Sequence, residues 1–127
     1  MRTLVVLALF FALAGCDSNS STSCSGGALQ TTDLLIGTGA KAMLGNSVIV
    51  DYEGRLESGS VFDEGIDVQF NLSEVIPGFR DGIVGMQVGG RREIVIPPDL
   101  AYGEPGIQGV IPSCETLTFD VTLLDVQ

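Results

Sequence analysis

The 127-residue chain carries 6 Lys and Arg against 16 Asp and Glu, which gives a formal net charge of −10, and it has no His and 3 Cys. One domain is expected for this length, and the acidic balance argues against a nucleic-acid-binding surface and against membrane attachment through a basic patch. Without His, catalysis through a Ser-His or Cys-His pair is excluded, and the scattered cysteines do not make a zinc site, so no metal or other cofactor is expected.

The first element in chain order is a targeting segment. A basic start and an apolar run over residues 4–13 precede the small pair Ala14-Gly15 and then Cys16. The apolar run is much shorter than the roughly 20 residues that span a bilayer, so residues 1–15 are predicted to be a signal peptide. The pattern resembles the lipobox of bacterial lipoproteins, in which Cys16 would be lipidated. The alternative is an ordinary secretory signal with an incidental cysteine.

Lipidation would make the chain an envelope protein that faces the periplasm and is held to a membrane by its acyl chains. Asp17 resembles an inner-membrane retention signal. Residues 16–27 are mostly Ser, Thr, Asn and Gly, a composition that predicts a flexible tether ahead of a folded domain over residues 28–127.

The two other cysteines, Cys24 and Cys114, remain as an even pair once Cys16 is acylated. In an oxidising compartment such a pair favours a disulfide. Two free thiols are the alternative.

Short strands dominate the rest of the chain. Alternation of apolar and polar residues predicts antiparallel strands at 48–52 and 117–123, further strands at 68–72 and 91–96, and an edge strand around 29–36.

Between the strands, one short helix is predicted, with Pro77 in its first turn and apolar residues at spacings of four, four and three. Gly89 and Gly90 are expected to end it. The predicted fold class is α+β, a twisted antiparallel sheet of about five strands wrapped around one short helix. The apolar face of that helix consists of Val75, Phe79, Ile83 and Met86.

From about residue 35 to residue 124 the chain resembles the FK506-binding protein (FKBP) family. The matching motifs occur in order: Val50-Asp51-Tyr52-Glu53-Gly54, Val61-Phe62-Asp63, Val75-Ile76-Pro77-Gly78-Phe79, Met86-Gln87-Val88-Gly89, Pro98-Asp99-Leu100-Ala101-Tyr102-Gly103, Ile111-Pro112 and Leu117-Thr118-Phe119-Asp120-Val121.

The resemblance implies peptidyl-prolyl cis-trans isomerase activity, with proline-containing polypeptides as clients, FK506- and rapamycin-type macrolides as inhibitors, and a monomeric state. It places catalytic roles on Tyr52, Asp63 and Tyr102. It also implies that the substrate is bound by Phe62, Val75, Ile76, Phe79, Ile111 and Phe119.

The implied roles divide between ring binding and carbonyl binding. Phe62, Val75, Phe79 and Phe119 would hold the proline ring. The backbone N–H of Ile76 and the hydroxyl of Tyr102 would each donate a hydrogen bond to a substrate carbonyl, while Asp63 would sit beside the twisting carbonyl and Tyr52 would orient it.

Two positions depart from the family pattern. Phe79 stands where Trp is usual, and the short segment 63–69 offers no Arg to pair with Asp63. Two other functions stay open: a non-catalytic module of the same fold that binds proline-containing segments or acts as a chaperone, and a structural envelope lipoprotein.

Overall fold

The computed structural model describes Cys24 and residues 27–127. The predicted signal peptide and the predicted lipidation site Cys16 lie outside the described residues, as does most of the predicted tether. The elements are β1 (Gln30–Leu35), β2 (Ser47–Arg55), β3 (Val61–Asn71), α1 (Pro77–Ile83), β4 (Arg91–Ile96) and β5 (Leu117–Val126).

The five strands form one antiparallel sheet in the order β1-β4-β5-β2-β3, and α1 lies against it. This confirms the predicted fold class. Strands β2 and β5 occupy the middle of the sheet and alternate buried and half-buried residues, as period-two patterning requires. Their buried residues meet α1 and form the core, which includes Val48, Val50, Leu117, Phe119 and Val121.

Helix α1 is held by close packing more than by intrinsic propensity. Gly78 and Gly82 face β4, and a Cβ atom added at Gly82 would lie 2.6 Å from Cγ2 of Ile94. A Cβ atom at Gly78 would collide with the side chain of Ile96. The two glycines therefore lower helix propensity, but they allow the backbone of α1 to approach the sheet.

The C-terminus of α1 differs from the prediction. The helix ends at Ile83, and the chain turns first at Gly85, which has a φ of 98°. The predicted turn at Gly89 is present, with a φ of 96°, but the helix ends before it. Arg92 of β4 donates from Nη1 to the carbonyl oxygen of Gly82 at 2.8 Å, which satisfies one of the terminal carbonyls. Because the helix has seven residues, Val75 precedes it and Met86 follows it, although both are buried.

Strand β3 begins at Val61, seven residues before the predicted strand at 68–72. A bulge between its pairings Tyr52 to Gly65 and Val50 to Val68 breaks the alternation. Asp67 adopts a left-handed conformation with a φ of 56°, and its N–H donates to Oδ1 of Asp51 at 2.9 Å. The remaining predicted strands are confirmed, with β1 at the edge of the sheet.

Within residues 27–127, no helix is long and apolar enough to cross a membrane.

Candidate active site

Aromatic rings from four elements meet between α1 and the sheet. Phe79 of α1 lies 5.1 Å from Phe119 of β5, measured between ring centroids, and Phe62 of β3 lies 5.6 Å from Phe119. Tyr52 of β2 lies 6.2 Å from Phe79. Most of these pairs are edge-to-face, the arrangement that aromatic quadrupoles favour. The result is an apolar cluster in which Phe79 and Phe119 are fully buried. We refer to the half-buried side of this cluster, at Phe62 and Tyr102, as the aromatic concavity.

A glycine makes room for two of these rings. A Cβ atom at Gly54 would lie 2.6 Å from Cε1 of Phe119 and 2.8 Å from Cζ of Phe62. Sequence reasoning gave this residue no role, and the available signal was a glycine inside an otherwise alternating strand, which marks a close approach.

Asp63 brings a carboxyl group into this apolar environment. Its exposed fraction is 4%, and its Oδ1 accepts a hydrogen bond of 3.0 Å from the hydroxyl of Tyr52. Oδ2 of Asp63 and the hydroxyl of Tyr102 are buried without a hydrogen-bond partner among the described residues. Asp63 also makes no ion pair within residues 27–127, as the missing Arg led us to expect.

Burial governs the titration of this group of residues. It raises the pKa of Asp63 to about 6, although the hydrogen bond from Tyr52 and the nearby backbone N–H of Glu64 act in the opposite direction. Burial also raises the pKa of both tyrosines, and the negative charge of Asp63 adds to the effect. Tyr52 and Tyr102 are thus neutral donors at physiological pH.

The other predicted substrate-binding residues belong to the same apolar cluster. Val75, Ile76 and Ile111 are buried within it, and Phe62 and Tyr102 pack against it. The Ile76 N–H donates no backbone hydrogen bond in the loops and turns of residues 27–127, while the Ile76 carbonyl accepts from the N–H of Arg80 at 3.1 Å. The structure therefore brings all nine predicted residues together.

The loop that follows Tyr102 forms one rim of the concavity. Ile107 and Ile111 exchange two backbone hydrogen bonds of 2.8 Å, so Ile111 is held inward. A groove of about 570 Å³ lies beyond it, between Leu56 and residues 105–113. This groove was not predicted, because its walls come from segments distant in sequence.

The rim is linked to the N-terminal segment. Cys24 and Cys114 are joined by a disulfide with their Cα atoms 5.2 Å apart. The N–H of Cys114 also donates to the carbonyl oxygen of Gly103 at 2.9 Å.

A second groove, of about 620 Å³, is lined by charged residues together with Tyr52, Gly65, Ile66 and Thr122. Asp120 there receives a two-pronged hydrogen bond from Arg91, which holds the pKa of Asp120 below its usual range. No group of three or more metal-ligating side chains occurs in the described part of the chain. The aromatic concavity is the better candidate, because it combines apolar walls with polar atoms that lack partners.

Comparison with known proteins identifies the family of this chain. The family model described as FKBP-type peptidyl-prolyl cis-trans isomerase matches residues 39–124. The FK506-binding protein of Neisseria meningitidis serogroup A is 40% identical over 106 residues, which are 79% of this chain and 97% of that protein. The 46 kDa FK506-binding nuclear protein of Spodoptera frugiperda is 43% identical over 107 residues, but the chain spans only 26% of its length.

Comparison with solved structures leads to the same family. The peptidyl-prolyl cis-trans isomerase from Pseudomonas syringae superposes with a TM-score of 0.76 at 35% identity, covering 78% of this chain and 75% of that one. FkpA from Escherichia coli gives a TM-score of 0.73 at 40% identity, covering 78% of this chain and 48% of that one. The chain therefore belongs to the FKBP-type peptidyl-prolyl cis-trans isomerase family.

Proposed function

We propose that this chain catalyses cis-trans isomerisation of Xaa-Pro bonds, with the proline ring in the aromatic concavity and without covalent chemistry. The observation that carries the proposal is a buried apolar site in which Oδ2 of Asp63 and the hydroxyl of Tyr102 have no hydrogen-bond partner among residues 27–127 and Cys24. Buried polar groups are nearly always paired, so two open ones in one concavity indicate a ligand that supplies the partners.

The physical basis is the loss of amide resonance on twisting. Rotation about the amide bond meets a barrier of about 18–20 kcal/mol in water, and the twisted amide is less charge-separated than the planar one. An apolar aromatic site therefore favours the twisted form over the planar ground state. Phe62, Phe79 and Phe119 would hold the proline ring during this change.

Hydrogen bonds would fix the segments on either side of the proline. The Tyr102 hydroxyl and the Ile76 N–H could each donate a hydrogen bond to a substrate carbonyl. Val75 and Ile111 would form the walls of the site. Asp63, oriented by Tyr52, would lie beside the twisting carbonyl as a polar partner. No step requires an acid, a base or a nucleophile from this chain.

The test uses the full chain with Cys16→Ser, which prevents lipidation, and measures the protease-coupled isomerisation rate of Xaa-Pro peptides. We expect acceleration that FK506 abolishes. Tyr102→Phe should lower kcat/KM about fivefold, the effect of one lost hydrogen bond of about 1 kcal/mol. Phe62→Ala should lower it further.

Val61→Ala is the matched control, because Val61 is exposed and lies beside Phe62 on the opposite face of β3. Its rate should equal that of the parent. A folded parent that binds proline peptides without accelerating their isomerisation would instead identify a binding module.

We further propose that the chain is a bacterial envelope lipoprotein: residues 1–15 are removed, Cys16 is acylated, and residues 16–27 lead to the isomerase domain at 28–127. The sequence pattern around Cys16 supports this, and the Cys24–Cys114 disulfide suits an oxidising compartment such as the periplasm. Radiolabelled palmitate should enter the chain in growing bacteria. Cys16→Ser should abolish labelling, whereas Cys24→Ser should not.

Asp17 makes a separate prediction about the membrane. We expect the lipidated chain to fractionate with the inner membrane and Asp17→Ser to move it to the outer membrane.

We also propose that proline-containing clients and FK506-type macrolides bind at the aromatic concavity and that the chain is a monomer. These proposals rest on its membership of the FKBP family.

A further inference from the structure

We infer that the Cys24–Cys114 disulfide ties the lipid anchor to the rim of the catalytic concavity and directs the enzyme to Xaa-Pro bonds close to the membrane surface. This inference rests on the proposed function, because it assumes a lipidated isomerase. It adds a substrate class to that function: proline-containing segments that lie next to the bilayer.

The disulfide is attached to the rim itself. Cys114 follows Ile111, Pro112 and Ser113, which line the groove beside the site. Its N–H is bonded to the carbonyl oxygen of Gly103, the residue after Tyr102. The covalent link therefore meets the loop that carries Tyr102 and Ile111: Cys114 lies three residues after Ile111 and is hydrogen-bonded to the residue that follows Tyr102.

The N-terminal chain leaves the domain at this same place. Cys24 is buried against the loop, with an exposed fraction of 8%. Farther along, β1 begins at Gln30, which pairs with Val95 next to the strand β5 that carries Phe119. The exposed apolar residues Leu35 and Ile36 mark the other end of β1, away from the rim.

Chain length then limits the distance from the bilayer. Eight residue steps separate Cys16 from Cys24, and a fully extended chain covers about 3.5 Å per step, so Cys24 lies at most about 28 Å from the lipidated residue. The disulfide adds a Cα–Cα distance of 5.2 Å to Cys114. These limits hold whatever conformation the intervening residues adopt.

The point of attachment decides what the enzyme can reach. A domain of about 100 residues has a radius of gyration of about 13 Å, so an anchor on its far side would place the concavity roughly 30 Å farther from the membrane. With the anchor at the rim, the distance limit that applies to the disulfide also applies to the concavity, which therefore stays close to the membrane. If the disulfide were opened, the first fixed residue would be near Gln30, and the reach would rise to about 50 Å.

The experiment compares one Xaa-Pro peptide in two forms, free in solution and attached to a lipid two residues from the proline. The full lipidated chain is placed in phosphatidylcholine vesicles, and the quantity measured is the ratio of isomerisation rates for anchored and free peptide. The first variant carries 40 Gly and Ser residues inserted after Ser20, which lengthens the connection but leaves the disulfide and the concavity unchanged.

We expect the insertion to lower this ratio about tenfold, because effective concentration falls with roughly the −3/2 power of connection length. The second variant, Cys24→Ser/Cys114→Ser, should lower it about twofold, since the connection grows from eight to fourteen residues. A ratio that is unchanged by the insertion would overturn the inference.

The failure of the proposed function has a different signature. If the free peptide is not accelerated, or if mass spectrometry finds no lipid on Cys16, the lipidated isomerase itself is wrong. If lipid and free-peptide activity are both present and only the ratio is insensitive to connection length, the proposed function stands and the substrate class is wrong.

Discussion

Asp63 is the residue at which stability and function conflict most clearly. Its carboxyl group is buried, accepts one hydrogen bond from Tyr52 and leaves Oδ2 open. A buried, incompletely bonded carboxylate destabilises the folded state, because ionisation there loses hydration. We interpret this cost as the consequence of keeping a polar group available to the substrate inside an apolar site.

The cost predicts a pH dependence with a definite sign. Burial raises the pKa of Asp63 from its usual value near 4 to about 6. Protonated Asp63 thus favours the folded state below pH 4, and this contribution is lost as the pH rises through 6. Between pH 4 and 7.5, the free energy of unfolding should fall by about 2 kcal/mol more in the parent than in Asp63→Asn.

Urea denaturation of both proteins at pH 4, 5.5 and 7.5 measures this difference. Glu104→Gln serves as the control, because Glu104 is exposed and outside the concavity. A difference between parent and Asp63→Asn that is constant across this range would show that Asp63 is not destabilised by ionisation.

At the scale of elements, α1 is positioned by its glycines. Gly82→Ala raises intrinsic helix propensity by about 1 kcal/mol, but it drives a methyl group against Ile94. Because overpacking costs about 1–3 kcal/mol, we expect Gly82→Ala to destabilise the protein in urea denaturation. The substitution should cost less in an Ile94→Ala background, since the two side chains would no longer collide.

Gly27→Ala provides the comparison. A Cβ atom there meets nothing within 4 Å, and stability should be unchanged. If Gly82→Ala were as neutral as Gly27→Ala, close packing would not be the reason for glycine in α1.

Sequence reasoning identified elements whose signals are local. The alternation in β2 and β5 and the proline at the start of α1 predicted their structures, because these patterns depend on neighbouring residues. The start of β3 was missed because the bulge at Gly65 and Asp67 breaks the alternation. The end of α1 was placed too late because buried Met86 continues the apolar spacing outside the helix.

The candidate site shows the same limit. Its nine residues were named through family resemblance, and the structure gathers them in one cluster. The glycine in β2 signalled a close approach but not which two aromatic rings Gly54 would face, and nothing in the sequence predicted that Leu56 would form a groove with residues 105–113. Both features depend on contacts between segments far apart in the chain.

At the scale of the whole molecule, the disulfide closes a loop of 90 residues. Such a link restricts the unfolded chain, and chain-entropy arguments give about 4 kcal/mol for a loop of this size. We therefore expect Cys24→Ser/Cys114→Ser to lower the free energy of unfolding by 2 to 4 kcal/mol. Dithiothreitol should destabilise the parent to a similar extent and leave the double variant unaffected, whereas equal stability of the two proteins without reductant would contradict this.

If the chain is exported as proposed, the order of strands in the sheet governs when it can fold. Within residues 27–127, β1 pairs only with β4, and central β2 lies between β3 and the C-terminal strand β5. A chain that crosses a membrane with its N-terminus first cannot complete this sheet until its last ten residues have emerged, since pairing of distant segments must wait for both. The topology would thus keep the chain unfolded and competent for translocation until synthesis and transport are nearly finished.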